Sequence, residues 1–85
     1  MAGEKIPTGR MIRAGRALLG MEQLELAQEI DVDRRTVSRL EADTEVPLNP
    51  LKIATYRKMR DALERRGIVF IYGGKSHGEG VTLKE

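Results

Sequence analysis

A small, mainly α-helical domain finished by a C-terminal β-hairpin is the fold class that the sequence predicts, and three observations predict it. Apolar residues recur at helical spacing through four successive stretches. Glycine, asparagine and proline punctuate those stretches where helices start and stop. The period then changes: the β-branched and aromatic run Ile68, Val69, Phe70, Ile71, Tyr72 is followed by a glycine-rich segment, GGKSHGE, and by the alternating GVTLK. At 85 residues the chain has the length of one domain. A domain of this size buries only roughly 60 to 65% of the surface that its unfolded chain exposes, so the core is thin.

The first helix is expected after Thr8, a good N-cap, and ends at Gly20. Ile12, Leu18 and Leu19 with Ala14 and Ala17 supply its inward face, and Arg10, Arg13 and Arg16 fall largely on another. A second helix spans roughly Glu22 to Ile30, with Leu26, Ala27 and Ile30 on one side. Asp31 then occupies a turn that wants left-handed backbone, which Asp tolerates better than most residues, and Asp33 is an N-cap for a third helix. That helix, Arg34 to about Ala42, points Val37 and Leu40 inward and leaves Arg34, Arg35, Ser38 and Arg39 outside. The segment DTEVPLNP is a loop, and Asn49 with Pro50 forms an N-cap and N1 pair for a long helix to about Arg66. Leu51, Ile53, Tyr56, Met59, Ala62 and Leu63 form the apolar stripe of that helix, which closes at Gly67. The expected organisation is a domain over 1–66, with its central motif at about 22–42, and a strand-forming tail over 67–85.

Composition bounds the function. With no cysteine, disulfides and thiolate zinc sites are excluded. His77 is the single histidine and sits in the glycine-rich loop, so no metal or other cofactor is expected. Ser38 and Ser76 have no histidine at a recognisable catalytic spacing, and GGKSHGEG lacks the strand-to-helix context of a phosphate loop, so no catalytic residue is assigned and an enzyme is not expected. No apolar run approaches the ~20 residues of a membrane span and the N-terminus lacks the apolar core of a signal peptide, so a soluble, cytoplasmic protein with no membrane partner is expected. A net charge of +2 is too small to identify a nucleic-acid binder, and placement matters more. The arginines at 10, 13 and 16 precede an acidic stretch of Glu22, Glu25, Glu29, Asp31 and Asp33, and Arg34, Arg35 and Arg39 follow it. The block from Lys52 to Arg66 carries eight charged residues, of which only Asp61 and Glu64 are acidic; some of these basic blocks can form a nucleic-acid-facing surface opposite an acidic outer face, or they are solvated helix faces.

Two short amphipathic helices joined by a tight turn, the second with three arginines in its first six residues, look built to enter a DNA groove. From about Arg16 to Glu41 the chain resembles the lambda-repressor and Cro-like (xenobiotic-response-element) helix-turn-helix family: RALLG, Gln23 opening a helix, the Leu26-Ala27 pair, Val32 in the turn and TVSRLE ending at Glu41. The resemblance implies a compact four- to five-helix bundle and a transcription regulator that binds double-stranded DNA, commonly as a dimer on a palindromic operator. It further implies that Gln23 meets a phosphate at its helix N-terminus, rather than being an ordinary exposed glutamine, and that Arg34, Arg35, Ser38 and Arg39 face base edges in the major groove. Arginine donates two bonds to guanine O6 and N7, so guanine-containing half-sites are favoured, although each arginine can instead hold a phosphate. Thr36 matches a position that often touches the DNA backbone, or is plain helix surface. Arg16 and Glu41 match positions that pair across the bundle, with spare Arg16 donors aimed at a phosphate; otherwise they are two unpaired surface charges. Three residues depart from the pattern. Glu22 replaces an N-cap serine or threonine, which implies a less well capped helix, Asp31 replaces a turn glycine, and Asp33 replaces a serine or threonine.

The tail has apolar residues on both faces, with Ile68, Phe70 and Tyr72 on one and Val69 and Ile71 on the other. A two-stranded hairpin buries only one face well. The tail is therefore expected to dock on the long helix and to bring together a homodimer through these five residues. The principal expectation is a sequence-specific regulator of bacterial or phage origin, a repressor of a small operon or of a mobile element. The alternative is an antitoxin-type module whose tail binds a toxin partner, with DNA binding for autoregulation.

Overall fold

The computed structural model of the protein describes residues 3–44 and 49–84. Its elements are α1 (Gly9–Leu19), α2 (Gln23–Glu29), α3 (Arg34–Glu41), α4 (Pro50–Arg65), β1 (Ile68–Ile71) and β2 (Gly80–Leu83). The mainly helical fold with its two-stranded antiparallel sheet has the predicted order of elements. The loop expected over DTEVPLNP is described only at its ends, because Glu45, Val46, Pro47 and Leu48 lie outside the described residues.

Local chemistry sets the helix boundaries. The Thr8 hydroxyl accepts from the Met11 N–H at 3.4 Å, and Gly20 ends α1 at φ 65°, a conformation that glycine adopts without cost. Asn49 caps α4 through the Leu51 N–H at 2.8 Å, with Pro50 in the first turn. Glu22 does not leave α2 poorly capped: the Glu25 carboxylate reaches back to the Glu22 N–H at 3.1 Å.

The core is one cluster in which Ile12, Leu26, Val37, Tyr56, Met59 and Leu63 are fully buried. The inward face of α1 is Met11, Ile12 and Gly15, with Leu19 half-buried, while Ala17 and Leu18 are exposed. Leu18 lies at the edge of that face. Leu51 is also outside, at 80% exposure. It lies on the first turn of α4, only about 20° round the helix from the buried Ala62 but three turns before it, so its exposure follows from its place along the helix and not from its angle.

Two close approaches fix the helices against each other. A Cβ on Gly9 would sit 2.2 Å from the Leu40 carbonyl oxygen and 2.8 Å from that of Glu41, so the start of α1 abuts the end of α3 through a residue that only glycine can be. The Tyr56 hydroxyl of α4 donates to the same Leu40 oxygen at 2.5 Å.

The hairpin pairs Ile68 with Leu83, Val69 with Thr82, Phe70 with Val81 and Ile71 with Gly80. Ile68 and Phe70 are buried in the core, Tyr72 is half-buried, and Val69 and Ile71 face outward. The hairpin docks on α1 as well as on α4, which corrects the expectation of the long helix alone. The reason is Gly15: with no side chain on that turn of α1, Ile68 and Leu63 come within 3.3 Å of where its Cβ would be. The N-terminal arm lies across the same region. The Lys5 carbonyl accepts from Arg60 at 3.1 Å and from the Tyr72 hydroxyl at 3.3 Å. Arg57 and Arg60 hold the Glu4 carboxyl down to about 2 through their hydrogen bonds to it, so the carboxylate keeps its charge well into acid.

Burial, with smaller contributions from Asp43 and Glu41, pushes the Tyr56 hydroxyl up to about 12. A group whose neutral form is favoured by folding contributes its full stabilisation below its unfolded value near 10, and loses it as the pH rises through the folded value. Replacing Tyr56 with Phe should cost about 1 kcal/mol at neutral pH, from the lost bond to Leu40. It should also flatten the alkaline fall in stability between about pH 10 and 12. Urea unfolding across that range checks this, and an equally steep fall in Y56F would assign the alkaline sensitivity to another group.

Candidate nucleic-acid interface

The presentation of α3 starts in the turn before it. Asp31 has φ 58°, the left-handed geometry expected of it, and the Val32 N–H returns to the Ala27 carbonyl at 2.9 Å. Asp33 then caps α3, its carboxylate accepting from the Arg35 N–H at 2.7 Å. Val37 and Leu40 are buried beneath the helix, Arg34, Arg35 and Arg39 are exposed above it, and Ser38 and Thr36 are half-buried at its flanks.

The far end of α3 is anchored by a carboxylate. Glu41 is buried, with its side chain only 3% exposed. Arg16 grips it in two places, from Nε to Oε2 at 2.7 Å and from Nη2 to Oε1 at 2.9 Å, and Arg16 Nη1 donates to the Met21 carbonyl at 2.7 Å. The bonds to Glu41 raise the Arg16 pKa further, so the guanidinium is permanently charged. Gln23 adds a third donor, from Nε2 to Glu41 Oε1 at 3.0 Å, and its own carbonyl oxygen accepts from Arg34 Nη1 at 3.4 Å. A continuous chain of side chains thus runs from α1 through the end of α3 and the start of α2 to the first residue of α3.

Charge pairing separates this surface from the rest. On α4, Arg57 and Arg60 bind Glu4, Arg60 also binds Asp61, and Arg65 and Arg66 share Glu29 at 3.6 and 2.6 Å. Lys52 lies 3.7 Å from Asp43, and Arg10 binds Glu79 at 2.6 Å. Among the described residues, no ion pair or side-chain hydrogen bond holds the guanidinium of Arg13, Arg35 or Arg39, and Arg34 has only the long contact to the Gln23 amide. The basic block on α4 is therefore largely neutralised within the fold. Unpaired guanidinium groups collect on α3 and the adjoining turn of α1.

The expected site residues are accordingly found in one region. Arg34, Arg35 and Arg39 project from α3, Ser38 flanks them, and Gln23 and Arg16 lie beside Glu41. Arg13, Arg16, Gln23, Ser38 and Glu41 line one shallow depression between α1 and α3. Gln23 is bonded inward to Glu41 and not simply exposed, and three donor positions of Arg16 are used inside the fold, which leaves it two N–H groups for anything outside. The five tail residues lie away from this region and divide between core and surface. His77 lies in the exposed loop, where its Nε2 is 3.1 Å from the Tyr72 carbonyl. Sequence reasoning assigned no role to Arg13; its signal was the i, i+3 series Arg10, Arg13, Arg16, which steps by roughly 60° round the helix so that each points to a different neighbour.

The Arg16–Glu41 pair should show a coupling energy of about 1 to 3 kcal/mol in a double-mutant cycle of R16A and E41A. E41A alone should cost about 3 kcal/mol, because it strands a largely buried guanidinium and the Gln23 amide. Chemical unfolding of the four proteins measures both, and strict additivity would show the pair to be decorative.

A search of curated proteins found no match. A family model described as helix-turn-helix matches residues 12–56, which runs from the core of α1 through the α2–turn–α3 unit to Tyr56. No helix among the described residues is long and apolar enough to cross a membrane. The match spans the whole anchored region, from Ile12 beside Arg16, through Gln23 and Glu41, to the tyrosine that holds the end of α3, and the chain belongs to the lambda-repressor/Cro-like helix-turn-helix family of DNA-binding transcription regulators.

Proposed function

We propose that the protein is a sequence-specific repressor that inserts α3 into the major groove of double-stranded DNA and acts as a homodimer on a palindromic operator. The observation that carries this is the contrast in pairing: the exposed guanidinium groups of α3 are left without carboxylates, while those of α4 are neutralised. Arg34 and Arg35 are the leading base readers, each able to make a bidentate contact to guanine worth ~1 to 3 kcal/mol against a wrong base. Ser38 and Arg39 read the adjoining positions. Gln23, Thr36 and the spare donors of Arg16 meet phosphates at the groove edge and set the register without carrying sequence information. Repression follows where such an operator overlaps a promoter, since the bound protein occupies the polymerase site.

The second copy is brought in through the tail. Ile68 and Phe70 are committed to the core of their own chain, so Val69 and Ile71, together with the unpaired strand edges, are the contact surface. A two-fold axis through such a contact makes it self-complementary. It presents two α3 helices to half-sites about one DNA turn, ~34 Å, apart.

Selection from a random duplex pool should return guanine-containing inverted half-sites. Replacing Arg34 and Arg35 together with Ala should lower operator affinity by roughly 100-fold or more while random-sequence affinity falls far less. Equal loss on both would point to sequence-indifferent binding. Sedimentation should show a dimer at micromolar concentration, and V69E/I71K should dissociate it without lowering the melting temperature of the monomer, because both side chains face outward. A wild-type monomer whose hairpin outer face stays open would remove the homodimer and favour a different chain, such as a toxin, as the partner of the tail.

A further inference from the structure

We infer that Arg13 is a phosphate clamp, a binding residue outside the helix-turn-helix unit that supplies affinity without sequence preference; the inference rests on the proposed docking of α3 in the major groove. The arginines of α1 fan out in steps of roughly 60°. Arg10 turns toward the hairpin and binds Glu79, and Arg16 turns inward to Glu41 and Met21. Arg13 lies between them, exposed, and no hydrogen bond or ion pair holds its guanidinium among the described residues.

Its surroundings define what it can hold. Arg13 stands at the rim of the depression that it shares with Arg16, Gln23, Ser38 and Glu41. The carboxylate there, Glu41, is already occupied by three donors from Arg16 and Gln23, so it neither claims Arg13 nor presents an unpaired anion to DNA. The rim is thus cationic above a neutralised floor. Groove dimensions then choose between base and backbone. The major groove is ~12 Å wide and a helix with its side chains is ~10 to 12 Å across, so α3 fills it and a residue on the neighbouring α1 meets the phosphate wall. An arginine fork suits a phosphate with two parallel bonds.

The test is the salt dependence of binding, measured on the pool-selected operator and on a mixed-sequence duplex. R13Q should weaken both by the same factor, about tenfold. It should also reduce the slope of log K against log salt by ~0.9 per bound protomer, and R13K should keep most of that slope. R57Q, which removes an arginine already paired with Glu4, should leave the slope unchanged. A slope unaltered in R13Q while the wild type binds normally would overturn the clamp alone. A loss confined to the operator would overturn it in favour of base reading. Failure of the wild type to bind either duplex would overturn the docking on which the clamp depends.

Discussion

The bonds that converge on the Glu41 carboxylate are the constraint on which the rest of the site depends. A buried carboxylate costs several kcal/mol unless its lone pairs are used, and here they are used by a bidentate arginine from α1 and by an amide from α2. The same turn of α3 gives its Leu40 carbonyl to Tyr56 and leaves no room for a side chain on Gly9. Three helices therefore hold the last turn of α3. Such an arrangement has one low-energy geometry: shifting α3 by a single turn would break the Arg16 fork, the Gln23 bond and the Tyr56 bond together. That rigidity is what base reading needs, since bidentate contacts to a base edge tolerate little angular error.

The second organising feature is how the fold distributes charge. A net charge of +2 gives little long-range attraction for DNA. Folding concentrates what there is. By spending Glu4, Glu29, Asp61 and Glu79 on Arg10 and on the arginines of α4 and its C-cap, the structure leaves the uncompensated guanidinium groups of the described residues on α3 and at Arg13. Of the acids of the motif, Glu25 and Asp33 accept backbone N–H groups at the starts of α2 and α3, and Glu41 is paired with Arg16 and bonded to Gln23. A modest total thus becomes a local potential on one face, and the proposed specificity rests on that local potential more than on bulk attraction.

Much of this was legible in the sequence, and the limits have physical causes. The helix ends at Thr8, Gly20, Asp33 and Asn49 are local chemistry, where a side chain bonds its own neighbours or a backbone angle demands glycine, and local chemistry can be read from a string. The inward stripe of α3 was legible for the same reason. The pairing of Arg16 with Glu41 was legible only through a resemblance, because they stand 25 positions apart and nothing in periodicity links them. The neutralisation of the α4 block was not legible: Glu4 and Glu29 reach it through the fold, from positions 53 and 37 residues away. Leu18 and Leu51 misled because periodicity finds a face but does not say how far along a helix the neighbouring elements extend.

The hairpin shows how a thin core shapes assembly. The core of so small a domain is thin, and Ile68 and Phe70 add to it from the hairpin, Ile68 packing where Gly15 leaves α1 without a side chain. Strand geometry then forces Val69 and Ile71 to the opposite side, because successive side chains alternate. The apolar outer face is therefore a by-product of sealing the inner one. Val69 and Ile71 keep just over a third of their surface exposed, and their β-branched side chains suit a strand whether or not anything covers them. In the proposed dimer that outer face is buried, which would add stability to the chain while doubling the number of recognition helices held in register.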